Sequence, residues 1–284
     1  MIDDNAADRR AGTRRHAADV AAKQDTELPD VLASAGYVQS LARGLSVITA
    51  FGAEHPEMTL AEVARATGLS RAAARRVLHT LVQLGYVSTE GKTFALTPRV
   101  LELGFSYLSS IELPELAQPH LERLAAQVHE SASVSVLDGE EIVYVARVPT
   151  SRIMTVSISI GTRFPAYATS MGHVLLAGLT APEREDYLRR LHPEPLGPGT
   201  VASAGELRAE LDTVAGQGWA IVDQELEAGL RSIAAPIRDR EGRTVAAVNI
   251  STHASRVTVE HLRRELLPRL LDTARAIEAD LRHH

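Results

Sequence analysis

Residues 59–87 read TLAEVARATGLSRAAARRVLHTLVQLGYV, and their spacing predicts two helices joined by a short turn. Thr59 and Glu62 stand at the separation of a capping box, in which hydroxyl and carboxylate satisfy each other's free backbone N–H groups. Leu60, Val63 and Ala64 give this first helix one apolar face, and Gly68 can take the left-handed conformation that ends it. Ser70 then caps a second helix whose buried stripe is Ala74, Val77, Leu78 and Leu81, at i, i+3, i+4 and i+7. Its outer face carries Arg71, Arg75, Arg76 and His79. Two helices at a tight turn, the second presenting cations, form the pattern of a DNA-reading element.

The flanks extend that reading. Gly85 stops the second helix, and Tyr86 to Thr89 and Lys92 to Leu96 read as strands joined at Glu90-Gly91, a hairpin wing. Thr97 before Pro98 is a cap followed by a proline at the first helical position, so another helix leaves through Leu101, Phe105 and Leu108. Upstream, Val38 to Ala53 supplies Leu41, Leu45, Val47, Ile48 and Phe51 as the first helix of a small core. The expectation is a winged helix-turn-helix over 35–97 and a linker helix over 98–113. Its candidate DNA-binding residues are Ser70, Arg71, Ala72, Ala73, Arg75, Arg76, His79 and Lys92. Ala72 and Ala73 allow close approach to bases, Arg75 and His79 face the groove, and Arg71, Arg76 and Lys92 hold phosphates. The plainer alternative is a solvated helix face.

At 284 residues the chain has room for two domains. It has no cysteine, which removes disulfide frameworks, cysteine-ligated zinc and cysteine nucleophiles together and fits a reduced compartment, read here as cytoplasmic. The first thirty residues hold no apolar run like a signal peptide, and no later stretch approaches the roughly 18 apolar residues of a membrane span. The formal charge of −6 divides unevenly, with −2 over 1–34, +2 over 35–110 and −6 over 111–284. DNA binding depends on local cations at phosphates, so an acidic second domain is compatible with it. Residues 1–34, with RRAGTRR and several aspartates but few large apolar side chains, read as a disordered arm. A basic arm reaching a groove through Arg9 to Arg15 is the alternative.

Beyond the wing, Pro114 to His129 reads as an amphipathic helix through Leu116, Leu121, Leu124 and Val128. Ala132 to Leu137 and Glu141 to Val148 alternate around Asp138-Gly139, a hairpin signal, and Arg152 to Ile160 reads as a third strand. Thr169 to Leu179, Pro182 to Leu191 and Ala204 to Gln217 read as helices. Ala220 to Asp223, Ser232 to Ile237 and Thr244 to Thr252 read as strands, and Thr258 to Leu281 as a long helix. Hairpins with helices grouped between them predict an α+β fold, its helices packed to one side of a sheet. In the last helix Leu262, Leu266, Leu270 and Ile277 read as core, with a dimerisation face as the alternative.

Chemistry of the enzymatic kind finds little support. Thr169-Ser170-Met171-Gly172-His173 lacks the glycine before the serine that a nucleophile elbow needs, and neighbours on one helix diverge. His253, His261 and the His283-His284 pair lack the compact spacing that specifies zinc. No catalytic residue, metal or cofactor is predicted.

With these motifs in place the chain, from about Tyr37 to Leu281, resembles the isocitrate-lyase-regulator (IclR) family of bacterial transcription factors. The resemblance is carried by YVQSLARGLSVITAF, TLAEVARATGLS and RRVLHTLVQLGYV, then by SISIGTRFPAYATSMGHVLLA, GWAIVDQELEAGLRSIAAPI and AAVNIST. These blocks look most like the branch controlling protocatechuate and 4-hydroxybenzoate catabolism. The resemblance implies a GAF-like effector-binding and oligomerisation domain over 114–284, assembled as a homodimer or dimer of dimers on a pseudo-palindromic double-stranded operator. By resemblance Ile153, Val156, Phe164 and Leu230 form apolar walls, and Asp223, Ser232, Asn249 and Ser251 bring polar groups. A helix opening at Thr169 adds the N–H groups of Ser170 and Met171, a place that favours an anion such as a small organic acid. Ser232 and Asn249 stand where some members have cysteine and serine, which changes the hydrogen-bond pattern. Arg152 is a weaker candidate for an acid's carboxylate, and Arg152 and Arg163 alike read more simply as surface or interdomain residues. The expected protein is a ligand-responsive regulator coupled through its linker helix; a metabolite-transforming enzyme and an interaction module without DNA are the alternatives.

Overall fold

The computed structural model describes residues 37–108, 112–150 and 158–283, and the chain divides between Ser106 and Tyr107 into two compact units. The first unit begins with α1 (Gln39–Thr49), β1 (Glu57–Thr59) and α2 (Leu60–Ala66). Then come α3 (Arg71–Gln83), β2 (Val87–Glu90), β3 (Thr93–Leu96), a 3-10 turn (Pro98–Val100) and α4 (Leu101–Leu108). The capping box is formed: the Thr59 N–H donates to Glu62 Oε2 at 2.7 Å, and the Glu62 N–H donates to Thr59 Oγ1 at 3.4 Å. Gly68 turns the chain at φ +63, and the Ser70 hydroxyl accepts the Ala73 N–H to start α3.

Met58, Val63, Ala74, Leu78, Leu81 and Val87 pack with Val47 and Phe51 as the core of this unit. Leu41 and Leu45 do not join it; they are 62% and 50% exposed. On α1, positions 41, 45 and 48 share one stripe while 47 occupies another, and it is the second that meets the core. The first stripe lines an apolar groove of about 540 Å³ with Val77, Leu84 and Leu103. The sheet is also larger than expected. Glu57-Met58-Thr59, too short to display alternation, pairs antiparallel with β3 and gives the order β1-β3-β2.

The second unit contains α5 (Leu113–Val128), β4 (Ser131–Asp138), β5 (Glu141–Val148) and β6 (Arg163–Pro165). These are followed by α6 (Ser170–Ala177), α7 (Ala181–Arg190), α8 (Ala204–Gln217) and β7 (Ala220–Asp223). It closes with β8 (Leu230–Arg238), β9 (Thr244–His253), α9 (Val259–His261), a π-helical segment (Leu262–Leu266) and α10 (Leu267–His283). The strands form one antiparallel sheet in the order β6-β5-β4-β9-β8-β7. Of the expected third strand, residues 151–157 lie outside the described residues, and 158–160 lead into a turn in which Thr162 Oγ1 accepts the Ser159 N–H.

Helices cover both faces of this sheet rather than one. Val134, Ile233, Ile237, Val248 and Ile250 pack under α5 and α10, whereas Ala234, Ala247, Ile142 and Tyr144 pack under α6 and α8. The reason is visible in β8 and β9, where Ile233-Ala234-Ala235 and Ala246-Ala247-Val248 run apolar without alternation and so need cover on each side. Gly172 lets α6 seat against the preceding turn, because a Cβ there would stand 2.0 Å from the Ala166 carbonyl oxygen. Among the described residues no helix is long and apolar enough to cross a membrane.

Candidate functional site

Two sites emerge, one in each unit. In α3 the buried Ala74, Leu78 and Leu81 hold one side against the core, leaving Arg71, Ala72, Arg75, Arg76 and His79 exposed and Ala73 half-buried. Arg71, Arg75 and His79 follow one another at i, i+4 and i+8, a stripe a groove could receive. Arg76 is turned aside, toward the apolar groove beside α1, with Ala73. Lys92 is exposed at the tip of the wing, next to Gly91 at φ +61. Among the described residues these cations take part in no salt bridge, so their charge is available to phosphates. Arg99 is used differently. Its Nη1 donates to the Leu84 carbonyl at 2.7 Å and its guanidinium lies 5.2 Å from the Tyr86 ring centre, pinning the end of α3 to the start of the wing.

In the second unit a small pocket opens at the start of α6. Thr169 caps that helix by accepting the Gly172 N–H at 3.0 Å. Ser232 Oγ on β8 donates to Ser170 Oγ at 2.8 Å, and Asn249 Nδ2 on β9 donates to Ser251 Oγ at 3.0 Å. Asn249 Oδ1 is buried without a hydrogen-bond partner. Ser170, Met171, Leu230, Ser232, Asn249 and Ser251 line this space together. Its free volume is about 10 Å³, room for about one water.

Two expected lining residues stand elsewhere. Val222 faces the pocket, so the alternation of β7 sends the next side chain away, and the Asp223 carboxylate receives Arg231 Nε and Nη2 at 2.8 and 2.7 Å. Phe164 packs edge-on against Tyr144, ring centres 5.9 Å apart, one residue removed from the cavity. Arg163 is held by Glu141 at 2.6 Å and Asp138 at 2.7 Å and is not free for a ligand. Ile153, Val156 and Arg152 lie outside the described residues.

Tyr144, Val222 and Leu226, with Ala168 and Thr169, complete the lining, and the first three were not anticipated. The hairpin turn at Asp138-Gly139 was the available signal for Tyr144, since it puts Ile142 and Tyr144 on one face. Burial pushes the Tyr144 phenol up to about 12, so it stays neutral and able to donate. Arg147 is a further unanticipated residue. It sits opposite Ser133 in β4, which sits opposite Asn249 in β9, so all three share one sheet face. Its Nη1 donates to Ser133 Oγ at 3.1 Å, its Nε is buried without a partner, and among the described residues no carboxylate neutralises it.

Comparison with known proteins covers both units of the chain. Residues 40–91 match the IclR helix-turn-helix domain, and residues 105–279 match the family described as bacterial transcriptional regulator IclR C-terminal. The Pca regulon regulatory protein of Pseudomonas putida is 46% identical over 240 residues, 84% of this chain and 82% of that protein. A Rhodococcus sp. RHA1 transcriptional regulator of solved structure is 61% identical, with a TM-score of 0.78 over 86% of this chain and 98% of that one. The solved structure of an IclR homolog from Microbacterium hydrocarbonoxydans in complex with 4-hydroxybenzoate is 28% identical, with a TM-score of 0.77 over 86% of this chain and all of the other.

Proposed function

The chain belongs to the IclR family of bacterial transcriptional regulators, and from that premise we propose that it binds operator DNA through α3 and the wing under the control of a small aromatic acid. Arg71, Arg75 and His79 enter the major groove, and Arg76 and Lys92 hold phosphates on either side. A homodimer, or a dimer of dimers, matches a pseudo-palindromic operator with half-sites about one helical turn apart. The work is done in the cytoplasm and involves no turnover. Ser170 accepts a hydrogen bond from Ser232, and His173 Nε2 is engaged by the Tyr167 carbonyl at 2.7 Å, so this histidine does not stand over the serine as a base.

The observation that carries the effector class is the orphaned Asn249 Oδ1 in the same pocket as the N-terminus of α6. A helix N-terminus favours a carboxylate, and a buried acceptor without a partner favours a hydroxyl. A hydroxybenzoate has both groups on one rigid ring, and Arg147 on the same sheet face balances its charge. Relatives named for the pca regulon and for a 4-hydroxybenzoate complex support that class, and control of aromatic-acid catabolism follows from it. Since the cavity has room for only about one water, entry of a ring requires the pocket to open. The opened form is the state that the ligand selects, and α4 carries the difference to the DNA-binding unit at a coupling of about 1–3 kcal/mol.

The test is binding of the purified protein to its own upstream intergenic DNA at two salt concentrations, with 4-hydroxybenzoate, protocatechuate or benzoate added. The expected result is salt-sensitive, sequence-specific binding altered by a hydroxylated acid and less by benzoate. Equal responses to benzoate and 4-hydroxybenzoate would remove the role given to Asn249. Absence of specific binding at any salt would remove the operator reading.

A further inference from the structure

One turn of α6 beyond the pocket, His173 meets two carboxylates from distant parts of the chain. Glu210 comes from α8, and Glu225 from the turn between β7 and β8. His173 Nδ1 lies 3.6 Å from Glu210 Oε2, and His173 Nε2 lies 3.5 Å from Glu225 Oε2. One donor atom from each residue falls within 4.8 Å of the other two. His173 is 1% exposed and Glu225 7%. Glu225 Oε2, turned into the cluster, has no hydrogen-bond partner. Among the described residues no lysine or arginine pairs with either glutamate.

We propose that His173, Glu210 and Glu225 form a binding site for a first-row divalent metal ion of the zinc class. The Tyr167 carbonyl accepts from Nε2 at 2.7 Å, which fixes the tautomer and leaves the Nδ1 lone pair facing Glu210. A backbone carbonyl on the far ring nitrogen is the usual partner of a metal-bound histidine. Ligand bonds of about 2.1 Å in a tetrahedral site place donor atoms about 3.4 Å apart. The Nδ1 to Glu210 separation is already close to that, and Glu225, which now lies beside Nε2, must swing toward the Nδ1 side to join them. One nitrogen and two carboxylates suit zinc, cobalt or manganese rather than a soft or all-oxygen ion. Glu210, 41% exposed in its side chain, lies on the solvent side and leaves a fourth position for water.

The surroundings brace this arrangement. Thr200 Oγ1 donates to the Glu225 carbonyl, and the Gly199 N–H donates to the Gln224 carbonyl at 3.1 Å. Gln224 itself sits at φ +63, a strained conformation in the turn that sends Glu225 inward. Burial pushes the His173 imidazole down to about 4, and burial with the neighbouring Glu210, Glu206 and Asp223 charges pushes Glu225 up to about 8. The ion would tie α6, α8 and the β7–β8 turn together behind the pocket, independently of which effector enters.

The experiment uses full-length protein stripped with chelator and dialysed, titrated with Zn²⁺ by calorimetry and with Co²⁺ by visible absorption. One ion per chain, a Co²⁺ spectrum of low coordination number and a rise in Tm with Zn²⁺ are expected. His173→Gln and Glu210→Gln should each weaken binding by about tenfold or more. Glu210→Gln, being half-exposed, keeps the fold if His173→Gln does not and then decides the matter alone. Absence of stoichiometric binding, or binding unchanged in Glu210→Gln and carried by other histidines, would overturn the proposal.

Discussion

The two faces of the six-stranded sheet are cut from the same strands and do different work. Along β9, Ala246, Val248 and Ile250 point to α5 and α10, while Ala247, Asn249 and Ser251 point to α6. Along β8, Ile233, Ala235 and Ile237 face the first side, and Ser232 and Ala234 the second. The first face is a dry interior of branched side chains. The second is small and hydroxylated, with Ser133, Ser135, Ser232, Asn249, Ser251 and Thr169 all buried on or near it. A pleat of period two allows this separation without any insertion, since each residue is assigned to stability or to recognition by parity alone. Helix α3 makes the same division at a period of 3.6, with Leu78 inward and Arg75 outward.

Substitutions that respect or violate this division give unequal effects. Ile250→Ala on the dry face should lower unfolding free energy by about 3 kcal/mol, read by urea denaturation, because a fully buried isoleucine leaves a cavity. If effector affinity instead fell in proportion with little loss of stability, the two faces would not be separable. Arg75→Ala should cost about 1–3 kcal/mol on operator DNA and little on random DNA, with an unchanged Tm. Equal weakening on both would make Arg75 a phosphate contact. Ser232→Ala should weaken effector binding by about fivefold, or about 1 kcal/mol, with stability changed by less than that of Ile250→Ala. Of similar size, Ser70→Ala should remove about 1 kcal/mol of stability through the α3 cap, seen as a lower Tm and equal loss on all DNA sequences.

The α3 region was legible in the sequence because its signals are local. Thr59 with Glu62, Gly68, Ser70 and Gly85 each act within four residues of their partners, and each is found in its expected role. The hairpin at Asp138-Gly139 was legible for the same reason. What escaped depended on distant pairing. β1 becomes a strand only because β3 lies beside it, and Arg147 joins the face of Asn249 only through Ser133 between them. Asp223 and Phe164 were expected among the lining residues, yet one carboxylate is taken by Arg231 and one ring stands behind Tyr144. The His173, Glu210 and Glu225 cluster is built from positions 37 and 15 residues apart, separations that no motif of metal-binding spacing covers.

The backbone contact at Gly172 bears on how this pocket can change over generations. With a carbonyl filling the place of a side chain, the start of α6 and the turn Ala166–Ala168 form one rigid piece, closed to stepwise substitution at 172. New ligand preferences must then arise elsewhere in the lining, at Tyr144, Val222, Leu226, Leu230, Ser232 and Asn249, where side chains meet the cavity and can be exchanged one at a time. A lineage that alters its diet would keep the anion-facing helix end as an heirloom and revise the side chains around it.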